Sequence, residues 1–545
     1  MWNHNILISC SHPELSPVIL SEARDLNRKQ MPEQISNNKR IAKNTLILYF
    51  RMGITLIVSL YTSRVILAAL GVEDYGIYNV VGGVVALLNI ISGSMTAATG
   101  RFLSYELGRG QDNQLKETFS TLLNVHIMIG VVVLILGEVL GMWFLENKLN
   151  IPPDRIDASI WVLQFSLLSF FFTVINVPYS ASVVSHEEMG VFAYISIFEV
   201  VAKLAVAFIL MHTQHDRLIV YALLLAAVSI ITQFVYYIYC RKFEECRFRI
   251  VFDTSLIKNI ISFIGWAFLG NASVVIKNQG VTVLLNMFFG PVVNAAQGVA
   301  NQVESISSRF VYSYMMAANP QIIKLYSADE KPLMHSLIFR SSKFSAFLLL
   351  LLLSPVVLNI DLLLGLWLKE VPDHSSTFVV LTLIYAFLDT LTAPLVTGVL
   401  STAKIKRYEL LITFSYLAMV AVIYACFNLG MAPEIAFVVS IVCKLVVLFI
   451  LLFESNKLYD LPLGTYLKKV VVPVCLPLVA PIGVYIGLKF IVLTGLSQIL
   501  ISSVVVTILL ASIIWLAGLE TGEKDFIKNT IHTKVLSKLK SNGKN

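Results

Sequence analysis

Apolar residues run through this chain in long unbroken stretches separated by short polar ones, and the stretches have the length of membrane-crossing helices. Residues 344–357 carry no charge at all, and 436–453 carry one, Lys444. About 20 such residues cross a hydrocarbon core of ~30 Å, because each helical residue rises ~1.5 Å. Apolar segments of this kind lie near 45–70, 77–100, 118–144, 157–180, 190–211 and 218–239. After a basic loop they resume near 259–286, 292–317, 344–362, 375–400, 408–429, 433–453, 470–488 and 496–518. The pattern predicts an all-α polytopic membrane protein of about 14 transmembrane helices, in which 292–317 is the least apolar span.

The expected organisation is an unstructured tail over 1–42, with Met31 as a second candidate start. A six-helix bundle over 43–240, a basic linker over 241–258 and a second six-helix bundle over 259–453 follow. Two extra helices over 454–518 and a basic tail over 519–545 complete the chain. Composition agrees: 57% of residues are hydrophobic and 14% charged, whereas a soluble domain carries roughly 25% charged residues. The six cysteines show no CxxC spacing. No metal, disulfide, cofactor or nucleic-acid partner is expected.

Basic residues orient the spans, since Lys and Arg are retained on the cytoplasmic side. Of the 41 Lys and Arg residues, 30 fall in the two tails and the even-numbered loops. Only 5 (Lys148, Arg155, Arg217, Lys369 and Lys489) fall in the odd-numbered loops, and 6 lie within spans. Both termini are therefore expected in the cytoplasm. The opposite loops are too short for a separate domain, so the chemistry is expected inside the membrane.

Polar residues in hydrocarbon are expensive unless they face a protein interior or a watery cavity. In the eighth span Asn294, Gln297, Asn301, Ser305 and Ser308 recur at steps of 3 and 4 and share one helical face, flanked by Gln302, Glu304 and Arg309. The second span repeats the pattern with Asn79, Gly82, Ala86, Asn89, Gly93 and Thr96. An offset of 219 residues carries Gly82, Ala86 and Asn89 onto Asn301, Ser305 and Ser308, and Gly71 onto Gly290. This hints at two six-helix halves. The seventh span adds Lys277, Asn278 and Gln279. Lys277 lies too deep for easy snorkelling, so it either pairs structurally with Glu304 or Asp389 or lines a cavity as a free cation. Arg51 and Arg64 of the first span either reach substrate or snorkel to opposite surfaces. Glu199 and Lys203, four apart, are expected to neutralise each other. Glu138, Glu304 and Asp389 are candidate ion-coupling carboxylates. The expectation is a polar, somewhat cationic cavity between two halves, walled by spans 1, 2, 7 and 8.

The stretch 39–110 carries Leu60-Tyr61-Thr62-Ser63-Arg64-Val65 and Leu70-Gly71-Val72-Glu73-Asp74-Tyr75-Gly76-Ile77-Tyr78-Asn79-Val80-Val81-Gly82-Gly83. It resembles the polysaccharide flippase branch of the multidrug/oligosaccharidyl-lipid/polysaccharide exporter superfamily. Lys277-Asn278-Gln279-Gly280, Phe289-Gly290-Pro291 and Ala318-Asn319-Pro320-Gln321-Ile322 fit the same group. The resemblance implies two pseudo-symmetric bundles that alternate between inward- and outward-open states. It implies an undecaprenyl-diphosphate-linked oligosaccharide as substrate, for O-antigen, capsule or exopolysaccharide, in the bacterial inner membrane. Implied partners are membrane lipids, a glycan polymerase and glycosyltransferases. Buried Lys or Arg offsets a diphosphate charge, which makes Lys277, then Arg64, Arg309 and Arg51, the diphosphate candidates. Asn, Gln and Ser exchange hydrogen bonds with sugar hydroxyls. No GxxxxGK[ST] motif is present. A multidrug or cation antiporter, a peptidoglycan-precursor flippase, and an integral-membrane polymerase or ligase remain alternatives.

Overall fold

A computed structural model describes residues 17–86, 88–147, 151–247, 253–368, 371–488, 495–525 and 528. Side chains are described from residue 40 onward, except at 60, 72–73, 79–80, 82–86, 89, 144 and 146. Among the described residues every regular element is helical and no strand occurs. The chain divides into two units, Ile47–Glu520 and a terminal one formed by Met1–Leu46 and Thr521–Asn545.

The helices are α1 (Pro17–Ala86), α2 (Asn89–Arg109), α3 (Asp112–Asn147), α4 (Ile156–Ser185), α5 (Met189–His212) and α6 (Arg217–Cys240). After the linker come α7 (Thr254–Phe289), α8 (Pro291–Ser327), α9 (Lys331–Leu358), the short α10 (Ile360–Trp367), α11 (Ser375–Ser401), α12 (Lys406–Asn428) and α13 (Ile435–Tyr459). The last two are α14 (Leu463–Leu488) and α15 (Gly495–Gly518). Short polar caps set several starts. Asp216 accepts from the Leu218 and Ile219 amides at the head of α6, and Asp253 from those of Ser255 and Leu256 at the head of α7. Pro291 opens α8 where no amide hydrogen is needed.

Two expectations are corrected. The leader read as unstructured over 1–42 is helical from Pro17 on, because 18–31 is rich in Leu, Glu, Arg, Lys and Gln, all good helix formers. The second span is not one helix: α1 bends at Gly71 and continues to Ala86, and α2 starts anew at Asn89. Among the described residues, twelve helices are long and apolar enough to cross a membrane. The two expected spans outside that set are the polar ones, the 72–109 segment and α8. At 37 residues α8 rises about 55 Å, so it has the length to cross but not the apolarity.

The proposed internal repeat has a backbone counterpart. Gly71 adopts φ 81°, ψ 170°, and Gly290, its partner at the 219-residue offset, adopts φ 80°, ψ −171°. That region is essentially closed to residues with a Cβ. The same glycine-only corner thus joins the first span to the second and the seventh to the eighth.

Packing follows the order of the chain. The end of α1 (Ile66, Ala69, Leu70) packs on Val206, Ala207 and Leu210 of α5 and on Tyr221 and Val228 of α6. Arg155 ties this end together, holding Asp74 through two bonds and Asp216 Oδ2 at 2.6 Å. In α14 and α15, Ala480, Val506 and Leu510 pack on Leu351 and Leu358 of α9. Asn359, in the turn after α9, bonds Ser502 of α15 at 2.8 Å.

Candidate functional site

Polar side chains of α7 and α8 converge on one cavity of about 450 Å³. Lys277, Asn278, Gln279 and Thr282 of α7 line it, with Gln297, Asn301, Glu304, Ser305 and Ser308 of α8. Leu381, Thr382 and Tyr385 of α11 and Phe437 and Ser440 of α13 close the far wall. The cavity therefore gathers Gln297, Asn301, Ser305 and Ser308 of the polar face expected on the eighth span, without Asn294, and the three polar residues of the seventh.

The described lining residues come from α7 and α8, as expected, and also from α11 and α13; the second-span side chains at 79–80, 82–86 and 89 lie outside the described residues. The cavity belongs to the second set of six helices. Gln297 of α8 lines it together with Thr382 and Tyr385 of α11.

Lys277 is buried and does not pair with a carboxylate among the described residues. Its ammonium donates to the Tyr385 hydroxyl at 2.9 Å and lies 4.6 Å from the Tyr385 ring centroid and 5.3 Å from that of Tyr416. Asp389, one turn beyond Tyr385 on α11, is bound by Lys444 of α13 and accepts from Thr392 Oγ1 at 3.2 Å. Glu304 lines the same cavity and has no ion-pair or hydrogen-bond partner among the described residues. The cavity thus offers one ammonium, one carboxylate and a ring of amide and hydroxyl groups. That set suits a ligand with anionic and polyhydroxyl parts.

The other candidates lie elsewhere. Asn294 is half-buried outside the cavity with its side-chain oxygen unpartnered. Gln302 and Arg309 are exposed on a neighbouring face of α8, and Arg64 is exposed on α1. Arg51 turns toward α5, over the Phe192 ring at 5.0 Å and 3.4 Å from Ser196 Oγ. Hence Arg51, Arg64 and Arg309 do not join Lys277. The side chains of Asn79 and Asn89 lie outside the described residues. Glu138 accepts from Gln164 at 2.6 Å beside an apolar groove between α3 and α4. Glu199 and Lys203 pair at 2.6 Å, as their spacing predicts.

A second constellation was not foreseen. Contacts between the first and second sets of six helices cluster at the end carrying Arg101, Lys324 and Lys406. Buried Arg101 of α2 donates to the Ser401 carbonyl at 3.2 Å. Asn271 of α7 donates to Ser94 of α2 at 2.8 Å, and the Phe102 and Phe263 rings meet edge to face. Glu187, in the turn between α4 and α5, accepts from Gln321 at 2.8 Å and from Lys324 at 2.9 Å. A Cβ on Gly108 would fall 2.7 Å from the Lys324 backbone, so the helices touch there main chain to main chain. Among the described side chains, no bond, ion pair or ring contact joins the two sets at the opposite end, where Arg155 and Gly290 lie. The sequence signal for this clasp was faint: Arg101 and Lys324 counted only as loop charges.

The chain was compared with known proteins. A family described as polysaccharide biosynthesis protein matches residues 40–326. No protein of curated function matches the sequence significantly. Among solved structures, an outward-facing multidrug resistance MATE family transporter of the MOP superfamily is similar, with a TM-score of 0.68 at 12% identity, over 78% of this chain and 96% of that one. A MOP superfamily transporter from Pyrococcus furiosus, described as having a binding pocket of reverse polarity that suggests a different function, gives 0.65 at 11% identity, over 79% and 96%. A Vibrio cholerae MATE transporter gives 0.61 at 15% identity, over 77% and 97%. At such identities the likeness concerns the fold.

Proposed function

The chain belongs to the polysaccharide biosynthesis protein family, and from that premise we propose that it flips an undecaprenyl-diphosphate-linked oligosaccharide across the bacterial inner membrane by alternating access. The observation that carries this reading is the cavity at Lys277. A membrane protein that buries a lysine beside hydroxyls and amides, with no carboxylate bound to it, has prepared a place for an anion. The diphosphate would meet Lys277, and sugar hydroxyls would exchange hydrogen bonds with Asn278, Gln297, Asn301 and Ser305.

The asymmetry of contacts supplies the conformational half of the argument. With both termini in the cytoplasm, as the basic residues predict, the clasp at Arg101, Glu187 and Lys324 lies at the cytoplasmic end. On that orientation the clasp would hold the cytoplasmic side closed. Transport would require this clasp to part while the opposite end closes. Of the three coupling carboxylates, Asp389 is occupied by Lys444 and Glu138 lies at a distant groove, which leaves Glu304 as the coupling candidate.

The test is to delete the gene and extract polyprenyl-diphosphate lipids. The reading predicts that a complete oligosaccharide repeat accumulates on its lipid while surface polysaccharide disappears. Wild type should restore the surface polymer, and Lys277→Glu, expressed at equal level, should not. An unchanged lipid pool with raised sensitivity to cationic drugs favours the second reading, a multidrug or cation antiporter. That reading draws on the MATE neighbours and on the unpartnered Glu304. Loss of a membrane polymerase would instead leave single repeat units facing outward and unpolymerised, and loss of a ligase would leave finished polymer on its lipid.

A further inference from the structure

The second set of helices holds two buried lysines around one tyrosine. Lys277 and Lys444 stand over the Tyr385 ring with their ammonium groups 4.6 Å and 5.2 Å from its centroid, so the two nitrogens are at most about 10 Å apart. Their partners are unequal. Lys444 takes the carboxylate of Asp389, while Lys277 takes only the neutral hydroxyl of Tyr385. Tyr385 and Asp389 are four residues apart on α11 and share a face. Asp389 is held by the lysine that shares the Tyr385 ring with Lys277, so carboxylate and free ammonium flank the same tyrosine.

In a low-dielectric interior an ammonium with an unengaged carboxylate that close pairs with it, since the attraction grows as the dielectric falls. What prevents that here is Lys444, 5% exposed, which keeps Asp389 occupied. From this arrangement we infer that Lys444 is a positioning residue: by engaging Asp389 it leaves Lys277 un-neutralised and available to an anionic ligand of the phosphate or diphosphate class. This rests on the reading of Lys277 as the anion site and adds the device that keeps it open. Glu304, the carboxylate that lines the cavity, forms no ion pair with Lys277 among the described residues.

The test is a rescue experiment on the full-length purified protein, with farnesyl diphosphate as the probe and binding read by titration calorimetry. Each variant is first shown to be monodisperse. Lys277→Met should lose at least about tenfold in affinity, which tests the underlying reading. Lys444→Met should lose at least about tenfold although it does not touch the probe, because Asp389 now captures Lys277. Removing both members, Asp389→Asn with Lys444→Met, should bring binding back to within about threefold of wild type, a non-additivity that a packing defect would not show.

The failures are distinguishable. If Lys277→Met binds like wild type, the anion reading of the cavity falls and the inference with it. If Lys277→Met loses binding and Lys444→Met does not, the inference falls and the reading stands. If the double variant binds as weakly as Lys444→Met, Lys444 acts through packing and the inference is overturned. Should Lys444→Met not be recovered folded, Asp389→Asn alone decides: binding at or above the wild-type level supports the inference, and loss overturns it.

Discussion

Glu187 offers the sharpest perturbation of the conformational balance. Its carboxylate is 1% exposed and bridges to Lys324 at 2.9 Å and Gln321 at 2.8 Å, across the line between the first and second sets of helices. Hydrogen bonds to a charged group contribute about 1.5–3 kcal/mol and neutral ones about 1. Replacing Glu187 by Ala should therefore remove about 2–4 kcal/mol, after Lys324 regains water. Most of this is lost from the state in which the two sets touch at this end, because parting them breaks the same bonds. At 1.4 kcal/mol per tenfold, the equilibrium should move by a factor on the order of 30 to several hundred. Spin labels at Arg109 and Ala328, both exposed at the clasped end, report the separation by double electron–electron resonance on a cysteine-free background. Wild type should give one short distance, and Glu187→Ala should add a longer population. Lys324→Met should do the same, with the double variant adding little beyond the larger single effect, since the two residues share one interaction. A distribution unchanged in all three variants would refute the reasoning.

Three further outcomes are expected. Gly71→Ala and Gly290→Ala should each lower the melting temperature in detergent by similar amounts, corresponding to about 1–3 kcal/mol, because both glycines occupy a region that a Cβ forbids; sharply unequal effects would argue against the repeat. Arg155→Ala should destabilise the protein by about 1–3 kcal/mol, as it frees Asp74 and Asp216 together, and a melting temperature equal to wild type would contradict this. The Glu245 carboxyl of the basic linker is pushed up by burial, but the hydrogen bonds from His186 at 2.6 Å, a backbone amide and Ser182, with the charge of His186, together hold it below the usual carboxylate range. Its contribution is fully present above pH ~4.5 and is lost as pH falls through the lower folded value. Melting curves of Glu245→Gln between pH 3 and 7 should lack that acid-side decline.

Much of this architecture could be read from the residues alone. Apolar runs located the helices, and steps of 3 and 4 along α8 put Asn294, Gln297, Asn301, Ser305 and Ser308 on one face, of which all but Asn294 line the cavity. The Gly71 and Gly290 correspondence was visible as an offset and reappears as a shared backbone corner. What sequence spacing could not supply was the partner across the gap. Periodicity ranks faces within one helix but does not say which helix a face meets. Spacing thus gave no hint that Tyr385, Thr382 and Ser440 would line the cavity. The same limit hid the Asp389–Lys444 pair, although Lys444 is the lone charge of its span and had to find a carboxylate somewhere. For Arg51, Arg64 and Arg309 spacing left a choice between substrate and surface; Arg51 lies over the Phe192 ring, and Arg64 and Arg309 are exposed.

The central claim is that the Lys277 cavity carries an anionic, glycan-bearing lipid from one leaflet to the other. Reconstitution into liposomes tests it most directly, with a polyprenyl-diphosphate-linked oligosaccharide placed in both leaflets and an impermeant glycosidase outside. The account predicts that wild-type protein raises the cleaved fraction from about half toward completion, and that Lys277→Glu, inserted in equal amount, leaves it at half. Complete cleavage with both proteins, or half with both, would contradict it.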